Sequence, residues 1–428
     1  MWRPKLRVSI MWSYRACRRQ GSALLAPLLS VIASCQLGCG PPQGPPHSGG
    51  RLAEGPATTN EQHATSVTPQ HPAASEWTLP KMPPHELKPR VRVASGLVNP
   101  RGLYETEAGV LLVSQAGTGN PNAPFTGSLS EFRDRNHDGD FDDPGERTVL
   151  LGRQFSTNIL DIVHRDEVFG MAGIAGGGAK MVVTHAPFDG ASSLFLLRDK
   201  QVSKWSEIEG TLNDIVFSAQ RSEWFAVSSS SDEIIRINDA GHASQLLKLP
   251  KLADGQDAVP AYIDLNPQSG KLLISVFGGS PVGESAGDGT ELVPSSGSII
   301  EMDPQSFKWR PLLVGLTAPT DLAVSADGTI YALELCDSFL DPTPDRKSFS
   351  RGVSHGGFRR HSGRLLRIEA KRHSVTVLAT GLDTPSNLLL SGNQLWISQG
   401  MGTPGRRIPN ATGIGSETLS GFIERITL

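Results

Sequence analysis

The chain has 428 residues, with 46 Gly, 31 Pro, a 38% hydrophobic share and a formal net charge of −3. Its first 34 residues hold six cations (Arg3, Lys5, Arg7, Arg15, Arg18 and Arg19) and no acid, which leaves 34 basic against 43 acidic residues in the remainder. A body that acidic lacks the cationic surface through which proteins release counterions from nucleic acid, so nucleic-acid binding is set aside.

The N-terminus reads as a targeting segment. A basic stretch to Arg19 precedes the apolar run Ala23 to Ala33, which is too short to span a bilayer as a helix. The run ends in Ile32-Ala33-Ser34-Cys35, which resembles the bacterial lipobox. That resemblance implies removal of residues 1–34 and lipidation of Cys35. The chain is then expected to be exported and lipid-anchored to a bacterial membrane, on its periplasmic or cell-surface side. Residues 35–90 are rich in Pro, Gly, Ser, Thr and His and have no hydrophobic period. Such a segment buries too little apolar surface to offset its ordering entropy, so a disordered tether reaching about 40 Å is expected.

From Val91 onward an internal repeat governs the reading. Three segments spell one corner: SGLVNPRGL from Ser95, VGLTAPTDL from Val314 and TGLDTPSNL from Thr380. Each is followed by a short apolar strand, a turn and a second strand: GVLLVSQ from Gly109, GTIYALE from Gly328 and NQLWISQ from Asn393. A third strand occurs six times, starting at Gly127, Ser192, Asp232, Gly297, Gly363 and Gly421. Evenly spaced short strands bounded by Gly, Pro and Asp predict an all-β six-bladed propeller over 91–428. The last unit stops after its third strand. The segment Val91 to Ser95 belongs to no earlier blade, so it is expected to supply the missing outer strand of blade six and close the ring.

The run Asp134-Arg-Asn136-His-Asp138-Gly139-Asp140-Phe-Asp142 places oxygen ligands at positions 1, 3, 5, 7 and 9 with Gly at 6, as in a calcium loop. Its flanks look like strands, and position 12 is Gly145 instead of an acid. A structural Ca²⁺ in a hairpin joining blades one and two is expected, against the alternative of an acidic surface turn.

Two further slots recur. The start of each first strand is read as Gly102, Asp161, Asp214, Asp264, Asp321 and Asn387. The four aspartates and the asparagine would ring the mouth of the channel and bind there, as a hard-cation site on the axis. Alternatively each Asp accepts backbone N–H bonds in its own turn, which is the preferred reading. The second-strand ends include His185 and Glu334, in blades two and five, which as a rim pair could supply a general base and acid; two solvated polar residues are the simpler account. Long loops at 115–126, 277–296, 335–362 and 399–420 would wall one face, and such loops are usually functional or disordered.

The Gly-Leu-x-x-Pro corner, the turn from Val324 to Gly328 and the Gly-x-Leu-x-Arg-Ile strand resemble the ScyD/ScyE family of exported propeller proteins. More distantly they resemble NHL-repeat and gluconolactonase-like six-bladed propellers. Propellers of the gluconolactonase type carry a metal on the axis with Asp, Asn and Glu, but their second-strand Glu has no equivalent in blade one here. Two functions are carried forward. One is a membrane-tethered module that binds a small molecule or a protein at its loop-walled face. The other is an exported enzyme, a metal-dependent lactonase-like hydrolase or a quinone-dependent sugar dehydrogenase, drawing on the channel-mouth ring.

Overall fold

The structure is a computed structural model that describes residues 77–107, 109–159, 166–177, 180–252, 255–279, 293–337, 354–355, 358–410, 412 and 414–428. The expected signal segment, Cys35 and the expected tether as far as residue 76 lie outside the described residues. Among those described, no helix is long and apolar enough to cross a membrane.

Six antiparallel sheets follow one another as propeller blades. Blade one comprises Pro100–Glu107, Val110–Gln115, Phe125–Arg133 and Arg147–Phe155. Blade two comprises Val168–Gly177, Lys180–Ala186, Ala191–Arg198 and Gln201–Glu209, with the short strand Thr157–Asn158 added beside its first. Blade three runs through Leu212–Ser218, Glu223–Ser228, Glu233–Ile237 and Ala243–Lys248. Blade four runs through Pro260–Leu265, Leu272–Val276, Gly297–Met302 and Trp309–Leu316. Blade five holds Pro319–Val324, Ile330–Glu334, Gly363–Glu369 and Ser374–Leu382. Blade six takes Asn387–Ser391, Gln394–Gln399 and Gly421–Thr427 from the C-terminus and its outer strand, Arg90–Leu97, from the other end of the described chain.

That outer strand pairs antiparallel with the last one, Val91 opposite Arg425 and Ala94 opposite Ile423, so the ring closes as the repeat count requires. Buried Val93, Ala94 and Leu97 pack with Leu103, Phe132, Trp396 and Ile423 across the seam between blades six and one.

The corner that enters each first strand depends on backbone that few residues adopt readily. Gly96, Gly315 and Gly381 have φ of 68°, 89° and 70°, a region open to glycine and disfavoured by a Cβ. The residue before the corner proline is also left-handed in four blades: Asn99, Val259, Ala318 and Thr384. Beyond the proline, a bulge interrupts pairing with the second strand, between Pro100 and Leu103, Pro260 and Tyr262, and Pro319 and Leu322. An extra residue there bends the strand toward the axis.

Residues 77–90, expected within the tether, pack against the propeller. Leu79 N–H donates to the Val314 carbonyl, and Glu86 and Lys88 N–H donate to Val377 and Leu378. Trp77 is buried with Leu312, Leu313 and Val375 and stacks on His373. The segment therefore covers the outer-strand edges of blades four and five before 90–97 closes blade six. It does so mainly through backbone hydrogen bonds, which need no side-chain period and leave little mark on the sequence.

Candidate functional site

The strands of each blade converge on the channel through their first members, and there the structure revises the predicted ring. Counting by hydrogen bonds, Gly102 N–H donates to Ser114 Oγ (2.7 Å), and in blade four it is Tyr262 N–H that donates to Ser275 Oγ (3.0 Å). Tyr262, two residues after Pro260, thus stands where Gly102, Asp321 and Asn387 stand, each two residues after its corner proline. Asp264 is displaced by two residues along the strand. Asp161 lies outside the described residues, and the first strand of blade two begins only at Val168. There Gly173 takes the slot, with its Cα packed against Asp214 of blade three.

The remaining carboxylates act between blades. Asp214 Oδ2 accepts the Ile263 N–H of blade four (3.0 Å), and Asp264 Oδ2 accepts Val324 N–H of blade five (2.8 Å). Asp321 Oδ2 accepts both Leu388 N–H (2.8 Å) and Asn387 Nδ2 of blade six. Asn387 Oδ1 accepts Leu103 N–H of blade one (2.9 Å). The other oxygen of Asp264 and of Asp321 takes the N–H of the next residue in its own strand, Leu265 and Leu322, as the turn reading expected. The cross-blade bond is the part that reading left out.

Burial sets the electrostatics of this belt. It pushes Asp214 up to about 8, with the nearby Asp264 charge adding to the effect, and Asp264 up to about 6. It lifts Asp321 well above the ordinary carboxylate range, helped by Asp214, and lifts the Tyr262 phenol. Buried beside other carboxyls, each of these groups holds its proton more tightly than in water. Among the described residues, the acidic and His groups close enough to share one cation are Asp138, Asp140 and Asp143, and His361, Asp383 and Glu417. The channel aspartates do not form such a set.

The rim pair is not brought together. His185 Nε2 lies 2.8 Å from the Phe155 carbonyl of blade one, and burial lowers its pKa. Glu334 is wholly buried: Oε1 accepts Thr317 N–H (2.8 Å) and Oε2 pairs with Arg364 Nε (2.7 Å). Gln115 and Gln399, at the same place in blades one and six, accept the N–H of Val98 and Asp383. All three side chains brace the residue after Gly-Leu, so this recurring slot holds the corner.

The acidic hairpin links the third and fourth strands of blade one, Phe125–Arg133 and Arg147–Phe155, and does not join blade one to blade two. RTVLLG belongs to the outer strand of the same blade. Asp134 accepts His137 and Gly139 N–H, shaping the turn. Asp142 turns away to Ser95 N–H (2.8 Å) and Arg147, while Asp143 joins Asp138 and Asp140. Asn136 Nδ2 donates to both Asp138 and Asp143. Buried Glu146 accepts Arg135 N–H through one oxygen and Asp143 N–H through the other. Phe141 N–H donates to the Val93 carbonyl (2.7 Å), and its ring packs near Phe132 and Trp396. The hairpin is a latch on the strand that closes the ring.

On the long-loop face, the loops pack on one another. Phe277 of blade four, Ala318, Leu335, Cys336 and Phe358 of blade five, and Met401 of blade six form an apolar cluster. Arg360 pairs with Asp383 and Glu417, and the blade-six loop reaches blade two through Arg406 and Asp166 (2.9 Å). The same face carries exposed aromatic surface where blades one and two meet. Phe125 and Phe155, 58% and 41% exposed, meet edge to face at 5.9 Å. Half-buried Phe169 and Phe188 form a second such pair in blade two, 5.4 Å apart.

No family model matches the chain, and no curated protein matches it. Solved structures of similar fold include a Bacteroides thetaiotaomicron protein of unknown function, 8% identical, with a TM-score of 0.49 over 79% of this chain and 72% of its own. A putative oxidoreductase (glucose dehydrogenase) from Thermus thermophilus is 14% identical, with a TM-score of 0.45 over 79% of this chain and 100% of its own. An auxiliary nutrient binding protein from B. thetaiotaomicron is 8% identical, with a TM-score of 0.43 over 79% and 74%. At these identities the likeness does not extend to function.

Proposed function

We propose that this chain is an exported, lipid-anchored propeller of ScyD/ScyE type that binds a protein partner through the blade-one and blade-two side of its loop-bearing face. The observation that carries this reading is the exposed Phe125–Phe155 pair. Aromatic side chains are enriched where interfaces concentrate their energy. Asp214, Asp264, Asp321, Asn387 and Glu334, by contrast, are engaged by backbone N–H groups and by neighbouring side chains. Site-specific photo-crosslinking in the native host tests the reading. A photoreactive residue at 125 or 155 should capture one protein, and the same residue at Phe307, exposed on the opposite face, should not. Equal capture from Phe307, or none from 125 and 155, overturns it. Small-molecule adducts alone would favour a ligand site.

Lipidation of Cys35 supplies the anchor, and Cys35→Ser should release the protein from membranes. Retention of that variant would refute the anchor.

Calcium on Asp138, Asp140 and Asp143 supplies the latch. Asp143 is exposed, yet loss of some hydration and then the Asp138 charge raise its carboxyl, and a cation would relieve that repulsion. Binding to the folded state alone stabilises by about 2.7 kcal/mol at a free concentration of about 100 Kd. Chelation should lower Tm by a few degrees, and Asp138→Ala with Asp143→Ala should abolish the response. A full response in the double variant would place the metal elsewhere.

The enzyme reading has one observation in its favour: Asp214 and Asp264 titrate near the working range of a general acid or base. Lactone hydrolysis or quinone-linked sugar oxidation that disappears in Asp214→Asn would establish it.

A further inference from the structure

The face opposite the long loops has a cleft that neither reading uses. Three turns frame it: the first-to-second strand turns of blades three and four, and the third-to-fourth strand turn of blade four. It measures about 540 Å³ and is lined by Gln220, Arg221, Glu223, Lys271, Asp303 and Gln305, together with Ser269 and Gly270.

Arg221 is the anomaly. Its Nε is buried and has no hydrogen-bond partner. Among the described residues its guanidinium makes no ion pair, although a buried donor left unsatisfied costs about 1–3 kcal/mol. The neighbouring charges are already engaged. Lys271 Nζ bonds Glu301 (2.8 Å), and Glu223 lies 3.9 Å from Arg236. Asp303 takes Gln305 N–H (2.8 Å) and the Ser306 hydroxyl (2.9 Å). The Gln305 N–H and the Ser306 hydroxyl hold the Asp303 carboxyl below the usual range, and Arg221 adds the least part, from outside bonding distance. A planar guanidinium with free donors is suited to a bidentate carboxylate or phosphate.

The other groups decide between these. Among the described residues, Arg221 is the cation of this lining without an ion pair, and beside the two carboxylates Glu223 and Asp303 it tolerates a single negative charge and opposes a dianion. Amide and hydroxyl groups of Gln220, Ser269 and Gln305 offer both donors and acceptors, which match a hydroxyl-bearing body.

We infer that this cleft between blades three and four binds a small hydroxylated monocarboxylate, with Arg221 holding the carboxylate. The site is remote from the proposed partner surface, so either can fail without the other.

Titration calorimetry on the full chain, with galacturonate as probe, galactose as its uncharged counterpart and inorganic phosphate as the dianion, tests the inference. Galacturonate should bind at least tenfold more tightly than galactose or phosphate. Arg221→Gln should weaken galacturonate at least tenfold and leave galactose unchanged. If Arg221→Gln does not fold, Gln305→Ala, on an exposed turn, should weaken galacturonate severalfold at unchanged Tm. Equal binding of galactose, preference for phosphate, no detectable galacturonate binding, or an unaffected folded Arg221→Gln would each overturn the assignment.

Discussion

From blade three round to blade one, a side-chain oxygen on the first strand of each blade reaches the backbone of the next: Asp214 to Ile263, Asp264 to Val324, Asp321 to Leu388 and Asn387 to Leu103. From blade one to two and from two to three, glycine takes that place. A Cβ on Gly102 would collide with the Ala172 carbonyl, and one on Gly173 would collide with Asp214. Blade one reaches blade two by Ser114 Oγ donating to Ala172 O, a bond that Ser275 and Ser398 repeat toward Thr320 O and Arg101 O, and by Arg101 donating to Val168 O (3.0 Å). The first-strand N–H groups of a propeller lie away from bulk water and need acceptors. One part of the ring satisfies them with three buried carboxyls and the Asn387 amide. At the other two junctions a glycine lets the strands approach closely, and at the first of them Ser114 and Arg101 reach across beside it.

Breaking the belt at its most connected point should have the largest effect. Asp321→Ala leaves Leu388 N–H and the Asn387 amide without their acceptor in a buried place, at a cost of about 2–4 kcal/mol. Urea unfolding should show this as a lower midpoint at unchanged m-value. A loss under about 1 kcal/mol would mean water replaces the carboxyl and the belt adds little.

The glycine side breaks by crowding instead. Gly102→Ala meets the Ala172 carbonyl, Ile174 and Ser114 at once, and overpacking of this kind costs about 1–3 kcal/mol. Because Gly102 lacks a positive φ, its cost comes from space and not from backbone conformation. Gly102→Ala at wild-type stability would show that the two junctions are not held by close approach.

The two parts should also differ in their response to pH. With Asp214 held at about 8 and Asp264 at about 6, the folded chain binds more protons than the unfolded one between the ordinary carboxylate range and those values. Stability from these groups is then fully present below about pH 4 and is lost as pH rises toward 8. Carboxyls with depressed pKa, such as Asp327 at about 2, act in the opposite sense, so the wild-type curve mixes both. The difference between wild type and Asp214→Asn isolates the belt: the variant should gain in relative Tm from pH 5 to pH 8. A parallel pair of curves would show that Asp214 ionises normally.

How far the sequence discloses this arrangement depends on what each residue does. The Gly-Leu-x-x-Pro corner is legible because positive φ and a fixed proline demand particular residue types. The six third strands are legible because burial on both sides of a blade demands an apolar pattern, and the closing strand Arg90–Leu97, half of it exposed, is legible only because the last blade lacks a fourth strand. Blade two lacks a corner proline to mark the slot, so the sequence points to Asp161 where the structure has Gly173. In blade four Asp264 carries the residue type of the slot, whereas Tyr262, two residues from Pro260, occupies it. The position of Asp138 was legible as an acidic turn, yet its place inside blade one was not, since RTVLLG reads equally as a first or a fourth strand. Arg221 carries no local signal at all. Its isolation depends on which partners the turns of two different blades bring near it.

The smallest effect is expected where blade five departs from its relatives in charge alone. Glu334 braces Thr317 N–H as Gln115 and Gln399 brace Val98 and Asp383. Its second oxygen holds Arg364, whose side chain is 25% exposed. Glu334→Gln keeps the acceptor for Thr317 and gives up the ion pair. It also removes a carboxylate that burial disfavours, since Glu334 titrates above its ordinary value for that reason. Breaking a fully buried pair by removing one charge is costly because the other is left uncompensated. Arg364 can turn to water, so the two changes should nearly offset, within about 1 kcal/mol. Glu334→Ala, which strands Thr317 N–H as well, should cost about 1–3 kcal/mol. If Glu334→Gln instead destabilised as much as Asp321→Ala, the charge itself would be needed at the rim, and a bracing role shared with two glutamines could not explain it.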